Sequence, residues 1–384
     1  MRTLFVAVAA LLLLVTTPNA ATIDKGPYVQ NVDTTGVTIC WTTDFVGSSI
    51  VEFGATRRVG QRATAELNHK RQVWTSGDDV EVIAFHEVRI DGLVPDTRYY
   101  YRVRTDDVAS DIFTFTTAVK PGTPFRFVAW GDSRPMGSDR TVMHLIDELG
   151  GDPRFLINNG DIVSYGQRWP EWREFFTING ARMATTPLYP ALGNHEDNAD
   201  AYFHLFSLPG NERWYSFDYG DVHVITLDSN APYRSSAAQR DWLIRDLRAA
   251  YDKPYIFIQL HHPIYSCTNQ FHRRVECIDL QQSLAPIFEA AEVTAVFSGH
   301  DHSYQHNVVN DIHYIVTGGG GATLHDVRPR SFTVTAARAF HLVQVDVGTE
   351  SAEFTVYDAD DGSVIERFTL PRRDTTPKND PRSR

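Results

Sequence analysis

The sequence predicts an α/β protein (an α+β sandwich) in which a two-sheet domain flanked by helices follows an all-β sandwich. Three observations carry this. From about Thr22 to Thr117, short β-branched and aromatic runs recur between turn signals, as strands of a sandwich do. After the hinge Lys120-Pro121-Gly122-Thr123-Pro124, strand patterns alternate with helical ones, which implies βαβ units and a largely buried sheet. Five of the later apolar runs end directly on a Gly, Asp, Asn or His motif.

The elements follow in chain order. Arg2 precedes an apolar run from Leu4 to Val15 and the small residues Ala20-Ala21, the pattern of a secretory signal over residues 1–21. That run is too short to span a bilayer, and it places the mature chain outside the cytosol, secreted or periplasmic. Residues 22–118 read as the sandwich, with strands at Val37 to Thr42, Ser49 to Phe53, Glu87 to Ile90, Arg98 to Arg104 and Ile112 to Thr116. The cluster Tyr99-Tyr100-Tyr101 reads as core and corner rather than as a binding platform. Residues 124–370 form the second domain. Val142, Leu145, Ile146 and Leu149 fall at helical spacing; so do Trp172, Phe175 and Phe176, and later Trp242, Leu243, Leu247 and Ala250. Leu280 to Ala291 contains Pro286, which kinks or delimits a fourth helix. Leu342 to Val347, Glu353 to Tyr357 and Val364 to Thr369 lack intervening helices and predict antiparallel strands completing a second sheet. The Pro-, Arg- and Asp-rich residues 371–384 predict a disordered tail.

Composition narrows the function. The 384 residues exceed one typical core, and 42% apolar content is that of a globular chain. A net charge of −12 argues against nucleic acid or an anionic membrane surface as partner. It leaves room for a small anionic substrate, because bound cations can dominate a local field. Cys267 and Cys277 bracket a short polar loop, and export predicts a disulfide between them. Cys40 reads as a small buried residue.

The chemistry lies in five motifs: Gly131-Asp132, Gly160-Asp161, Gly193-Asn194-His195-Glu196, His261-His262-Pro263 and Gly299-His300-Asp301-His302. Each follows a β-type run. Residues just past the carboxyl ends of neighbouring strands gather in one crevice. Oxygen and nitrogen donors of these types suit Fe, Mn or Zn, and there are more than one ion needs. One motif alone is weak; the ordered set points to a two-metal hydrolytic site.

From about Phe125 to Val347 this set resembles the calcineurin-like metallophosphoesterases. The preceding sandwich, similar to fibronectin type III, makes purple acid phosphatase-like proteins the nearest comparison. The resemblance implies that Asp132 and His302 bind a first metal, that Asp161 bridges, and that Asn194, His261 and His300 bind the second. It implies that His195 protonates the leaving oxygen, with Glu196 orienting it. Arg134 stands where many members have His; it cannot ligate but its planar fork can bind phosphate. Ser164 stands where purple acid phosphatases have a tyrosine ligand, and Tyr165, one residue on, reaches the metal only if the loop bulges. His262 is assigned to packing or to outer bonding, and His223, His313 and His341 to structure. His204, His306, His325, Tyr304 and Asn230 are weaker pocket candidates.

The expected activity is hydrolysis of phosphate monoesters by a metal-bound hydroxide, on a small phosphorylated substrate, with two ions of Fe, Mn or Zn. Phosphodiesters or nucleotides are the alternative on the same site. The alternative of another class is a non-catalytic surface interaction protein with a scaffold phosphoesterase domain.

Overall fold

The computed structural model describes residues 22–65, 71–76, 79–135, 138–149, 151–234, 237–268 and 275–375. The signal over residues 1–21 lies outside them, as does most of the expected tail. The first domain holds β1 (Ile23–Gln30), β2 (Val37–Thr43), β3 (Ser49–Gly54), β4 (Gln61–Ala65), β5 (Arg71–Ser76), β6 (Asp79–Ile90), β7 (Arg98–Thr105), β8 (Val108–Ala109) and β9 (Phe113–Thr116). They form two sheets, ordered β1-β2-β6-β5 and β4-β3-β7-β8, with β9 on β7. β7 shows why: its burial alternates strictly, and Tyr99, Tyr101 and Val103 enter the core. The Tyr99 hydroxyl accepts the Val94 N–H at 3.0 Å, closing a tyrosine corner.

The second domain opens with β10 (Phe125–Trp130), α1 (Ser138–Glu148), β11 (Phe155–Asn158), α2 (Trp169–Met183), β12 (Leu188–Pro190) and α3 (Asp200–Leu205). It continues with β13 (Tyr215–Tyr219), β14 (Val222–Thr226), α4 (Ala238–Ala249), β15 (Tyr255–Gln259), α5 (Val275–Ala290) and β16 (Ala295–Ser298). It closes with β17 (Tyr304–Val309), β18 (Ile312–Thr317), β19 (Thr333–Ala337), β20 (His341–Val347), β21 (Ser351–Asp358) and β22 (Val364–Pro371). A six-stranded sheet runs β12-β11-β10-β20-β21-β22, and a seven-stranded sheet runs β13-β14-β15-β16-β18-β17-β19.

The last three strands are antiparallel to one another, but they extend the first sheet instead of completing the second. β20 pairs with β10, antiparallel, from Phe125↔Val347 to Ala129↔Val343. Both bury nearly all their residues (Val343 and Val345 lie beside Phe127), so the pair belongs in the middle of a covered sheet. Phe127, Phe155, Phe257, Phe297 and Phe354 fill the space between the sheets, with ring centroids 4.8 to 6.1 Å apart in touching pairs. The outer face of the second sheet buries Ile256, Ile258 and Val296 against Leu243 and Leu247 of α4 and Leu280, Leu284 and Phe288 of α5. Pro286 sits inside α5 without ending it.

Three further expectations change. Cys267 and Cys277 are buried thiols, not a disulfide. The Cys277 Sγ donates to the Pro263 carbonyl at 3.4 Å from α5, while the Cys267 thiol bonds towards Thr333. Residues 371–375 are part of the fold rather than a tail: Arg373 donates to the carbonyls of Ala291, Glu292 and Lys253 at 2.8 to 2.9 Å. The domains also share one core, and polar contacts cross between them. Gln30 Nε2 donates to Leu188 O at 2.9 Å, the Val32 N–H donates to the Tyr189 hydroxyl at 2.9 Å, and the Tyr101 hydroxyl donates to Ala184 O at 2.7 Å.

Candidate metal centre

Each motif begins within three residues of a strand end, but the strands belong to two sheets. β10, β11 and β12 deliver Asp132, Asp161 and Asn194 from the first sheet. β15 and β16 deliver His261, His300 and His302 from the second. The crevice therefore lies between the carboxyl ends of two sheets, and within each sheet neighbouring loops are tied together. The Asp132 N–H donates to Gly160 O at 2.9 Å, and the Gly299 N–H donates to His261 O at 2.9 Å.

Three of these residues hold left-handed backbone: Asp132 at φ 58°, Asp161 at φ 54° and His300 at φ 66°. Such conformations cost a non-glycine residue about 1–3 kcal/mol each and persist where surroundings over-determine them. The neighbouring glycines make the turns possible. A Cβ on Gly193 would stand 2.2 Å from Asp161 Oδ1, and one on Gly299 would stand 2.4 Å from Asp132 Oδ2.

Asp132 and Asp161 are fully buried. Asp132 Oδ2 accepts the His300 N–H at 2.7 Å, and Asp132 Oδ1 lies 3.4 Å from His302 Nε2. Among the described residues neither of those last two atoms has a hydrogen-bond partner, although both are buried. His302 Nδ1 meets Thr323 O at 2.7 Å, and His261 Nδ1 meets Asn159 O at 2.8 Å. A ring nitrogen facing a carbonyl must donate, so the neutral rings offer bare Nε2 lone pairs to the crevice. Around His261 Nε2 stand Asn194 Oδ1 at 3.0 Å, Asp161 Oδ1 at 3.3 Å and His300 Nδ1 at 3.2 Å. His300 Nδ1 also lies 3.0 Å from Asn194 Oδ1. Acceptors converging in this way suit a cation, and the backbone carbonyls behind His261 and His302 are the outer support that metal-ligating histidines use. The donor set thus fits metal ions.

The electrostatics agree. Burial opposes charge on His261, but Asp161 and Asp132 overcome it and raise its pKa. Burial likewise opposes His302, and its contact with Asp132 raises it. Asp161 is lowered: burial pushes it up, and His261, Arg134 and His195 together push it further down. Arg134 Nη2 sits 2.5 Å from Asp161 Oδ2. The predicted phosphate-binding residue is thus at the centre, resting on the predicted bridging carboxylate.

Two candidates do not act as read from the sequence. Tyr165 does not enter the crevice. Its ring is 56% exposed beneath the Arg168 guanidinium, 4.3 Å from the ring centroid. Glu171 in the first turn of α2 accepts the N–H groups of Ser164 and Tyr165 at 2.6 and 3.1 Å and holds this loop unbulged. Glu196 does not orient His195. Its oxygens accept backbone N–H groups from Gly193 (2.6 Å), Ile162 (2.7 Å), Asp161 (3.0 Å) and Val163 (3.3 Å). Burial, then the Asp161 charge, push its pKa up to about 7 against those donors. His195 is held instead by Ser164 O, 2.7 Å from Nδ1, with Nε2 3.7 Å from Asp161 Oδ2.

Other candidates fall elsewhere. His204 packs on Phe85 at 4.9 Å, at the domain junction. His306 and Tyr304 share Glu366, at 3.0 and 2.5 Å. His223 lies between Asp218 and Asp246, at 2.7 and 3.0 Å. Asn230 donates to Leu192 O at 3.1 Å, bracing the Asn194 loop. His325 does line the site: it stacks on His302 at 4.1 Å, and its Nδ1 accepts the His302 N–H at 3.2 Å. Sequence reasoning missed Asp301 and a glycine run. Asp301 is fully buried and accepts from the Ser266 and Thr268 hydroxyls, tying the His300 turn to the chain after His262. Gly318 to Gly321 press against Asp132, Gly131 and Ser133; a Cβ on Gly320 would stand 2.3 Å from Gly131 O. Four successive glycines after an apolar strand were the available signal.

The calcineurin-like phosphoesterase family profile matches residues 108–304, and that of the purple acid phosphatase N-terminal domain matches residues 27–117. The chain belongs to the calcineurin-like phosphoesterases. Its curated relatives include purple acid phosphatase 21 of Arabidopsis thaliana, 29% identical over 70% of this chain and 62% of that protein. Another is purple acid phosphatase 1 of Ipomoea batatas, 26% identical over 75% of this chain and 64% of that protein. The chain therefore spans less than two thirds of the length of these relatives. Among solved structures, the purple acid phosphatase PPD1 from yellow lupin superposes with a TM-score of 0.75 at 18% identity, over 90% of this chain and 74% of that one. PhoD gives 0.65 at 13% identity, over 92% and 90%. At such identities these structures share the fold.

Proposed function

We propose that this calcineurin-like phosphoesterase is an exported, two-metal hydrolase of phosphate monoesters. The observation that carries the reading is the convergence of acceptor side chains from two sheets, with the Nε2 atoms of His261 and His302 facing the buried carboxylates of Asp161 and Asp132. Asp132 and His302 would hold one ion, Asn194, His261 and His300 the other, and Asp161 both. A carboxylate suits that bridging place because it offers two oxygens and offsets the repulsion of two cations. Tyr165 is left out of the ligand set on the geometry above, so iron there would lack a tyrosinate colour.

Ions held there would supply Lewis acidity and water activation. The chain's own residues do the remaining work. Arg134 binds terminal phosphate oxygens with its planar fork and offsets their charge. His195, anchored through Nδ1, presents Nε2 at the crevice; in its protonated form that atom gives a proton to the departing alkoxide. Glu196, with four backbone N–H groups in its grip, holds the Asp161 and Asn194 turns in register.

The test is a hydrolysis panel of mono- and diesters across added Fe, Mn and Zn, with metal content measured on the same samples. Two equivalents of metal and faster monoester hydrolysis are the expected result. Faster diester hydrolysis would move the substrate class, and a metal-free, inactive but partner-binding protein would support the scaffold alternative. Asp161→Asn should lose metal and most activity; near-normal turnover in that variant would overturn the assignment. Export rests on the leader pattern and is tested by the N-terminal residue of protein recovered outside the cytosol.

A further inference from the structure

We infer that His262 is a substrate-binding residue whose Nε2–H donates to a terminal phosphate oxygen on the His300 side of the centre. The inference rests on the phosphoesterase reading above. Sequence reasoning put His262 behind the site, as a packing neighbour of His261. The structure places its ring centroid 4.4 Å from that of His300 and 5.0 Å from that of His261. One nitrogen from each of the three rings lies within 4.8 Å of the other two. His261 is fully buried, whereas His262 keeps partial access to solvent, as a group meeting substrate must.

Two roles fit a histidine so placed, a further metal ligand or a donor to the substrate. Ser229 favours the donor role. Its Oγ accepts the backbone N–H of His262 at 3.0 Å and lies 2.8 Å from His262 Nδ1. The hydroxyl keeps its own hydrogen and can give it to Nδ1. The ring proton then sits on Nε2. A metal needs a bare nitrogen there; an anion needs the N–H. Asn194, His261 and His300 already supply the nitrogen and oxygen donors on this side. His262 therefore serves the phosphate that the centre binds. His195 stands at Asp161 Oδ2 and Arg134 at the same carboxylate, so the three donors reach the centre from different chain segments.

The experiment compares metal-loaded wild type with His262→Ala, His262→Gln and Ser229→Ala, using inorganic phosphate as the competitive probe. Losing a hydrogen bond to a charged oxygen should raise the phosphate inhibition constant and KM roughly tenfold to a hundredfold, with kcat changing less. Metal content should stay at the wild-type level. His262→Gln, which keeps an N–H at similar reach, should recover part of the loss, and Ser229→Ala should show a smaller rise. A metal-replete His262→Ala enzyme with phosphate affinity within twofold of wild type would overturn the inference and leave the phosphoesterase reading intact. Loss of a metal equivalent in His262→Ala would overturn it too, by making His262 a ligand. A wild type that holds neither metal nor phosphate would remove the parent reading and this one with it.

Discussion

Replacing Glu196 by Gln tests whether this side chain is a backbone staple or a partner of His195. The change keeps size and shape. In the native protein one oxygen accepts from Ile162 and Val163 at 2.7 and 3.3 Å, and the other from Asp161 and Gly193 at 3.0 and 2.6 Å. Whichever end the new amide nitrogen takes, it faces two N–H donors. Two buried N–H groups lose their acceptor, at about 1–3 kcal/mol each, so the loss is about 2–6 kcal/mol. That is a large share of the roughly 5–15 kcal/mol that holds a typical domain folded. Denaturant unfolding of the metal-free protein reads this directly. The same samples should bind metal more weakly, because the Asp161 and Asn194 turns loosen together. An unfolding midpoint unchanged from wild type, with the variant slowed only in the protonation of poor leaving groups, would refute the staple and restore the catalytic role.

Three further outcomes are expected. His195→Ala should keep its metal and slow esters with poor leaving groups far more than activated ones; equal losses for both would exclude proton donation. Tyr165→Phe should leave metal content and turnover within about twofold, since the ring lies outside the crevice; loss of metal on elemental analysis would show that the loop bulges inward after all. In the metal-free protein the candidate centre's own contribution to stability should fall as pH rises from about 5 to about 8, opposed by His86, His313, His325 and His341, whose pKa burial lowers to about 4. His261 and His302 are raised, and Glu196 is raised from 4.5 to about 7. Groups so raised stabilise fully below their unfolded values and lose that contribution as pH climbs through the folded ones, while lowered Asp161 contributes throughout this window. Metal needs those imidazoles unprotonated, so stabilisation by added metal should grow over the same interval. Thermal melts with and without metal at both ends of the range check this, and a metal-induced rise in melting point that shrinks as pH climbs would contradict it.

The site was legible because its chemistry is local. A Gly-Asp or Gly-Asn-His at the end of an apolar run states both the turn and the donor, and such a pattern survives without knowledge of the tertiary fold. What could not be read was partnership. Glu196 next to His195 suggests a pair, yet four N–H groups from two loops claim the carboxylate first. Tyr165 beside a ligand suggests a ligand, yet Glu171 fixes the loop. His262 reads as filler until Ser229 shows which nitrogen carries the proton. Strands built from polar residues also escaped. β17 carries Tyr304, Gln305, His306 and Asn307, all buried, and its place depends on partners such as Glu366, Ser303 and Thr333 that are distant in the chain or belong to the same irregular stretch. The three C-terminal strands were legible as antiparallel, but nothing local names β10 as the neighbour of β20.

Among the described residues, the strand that presents Asn194 stands at the border of its sheet, with no further strand paired to its outer side. The first domain occupies that border, through Gln30 on Leu188 and Val32 on Tyr189. An exposed border of this kind invites misassembly. Cutting the chain at the hinge would therefore not liberate a self-sufficient hydrolase; it would strip the outer wall from the one strand whose tip the catalytic centre cannot spare.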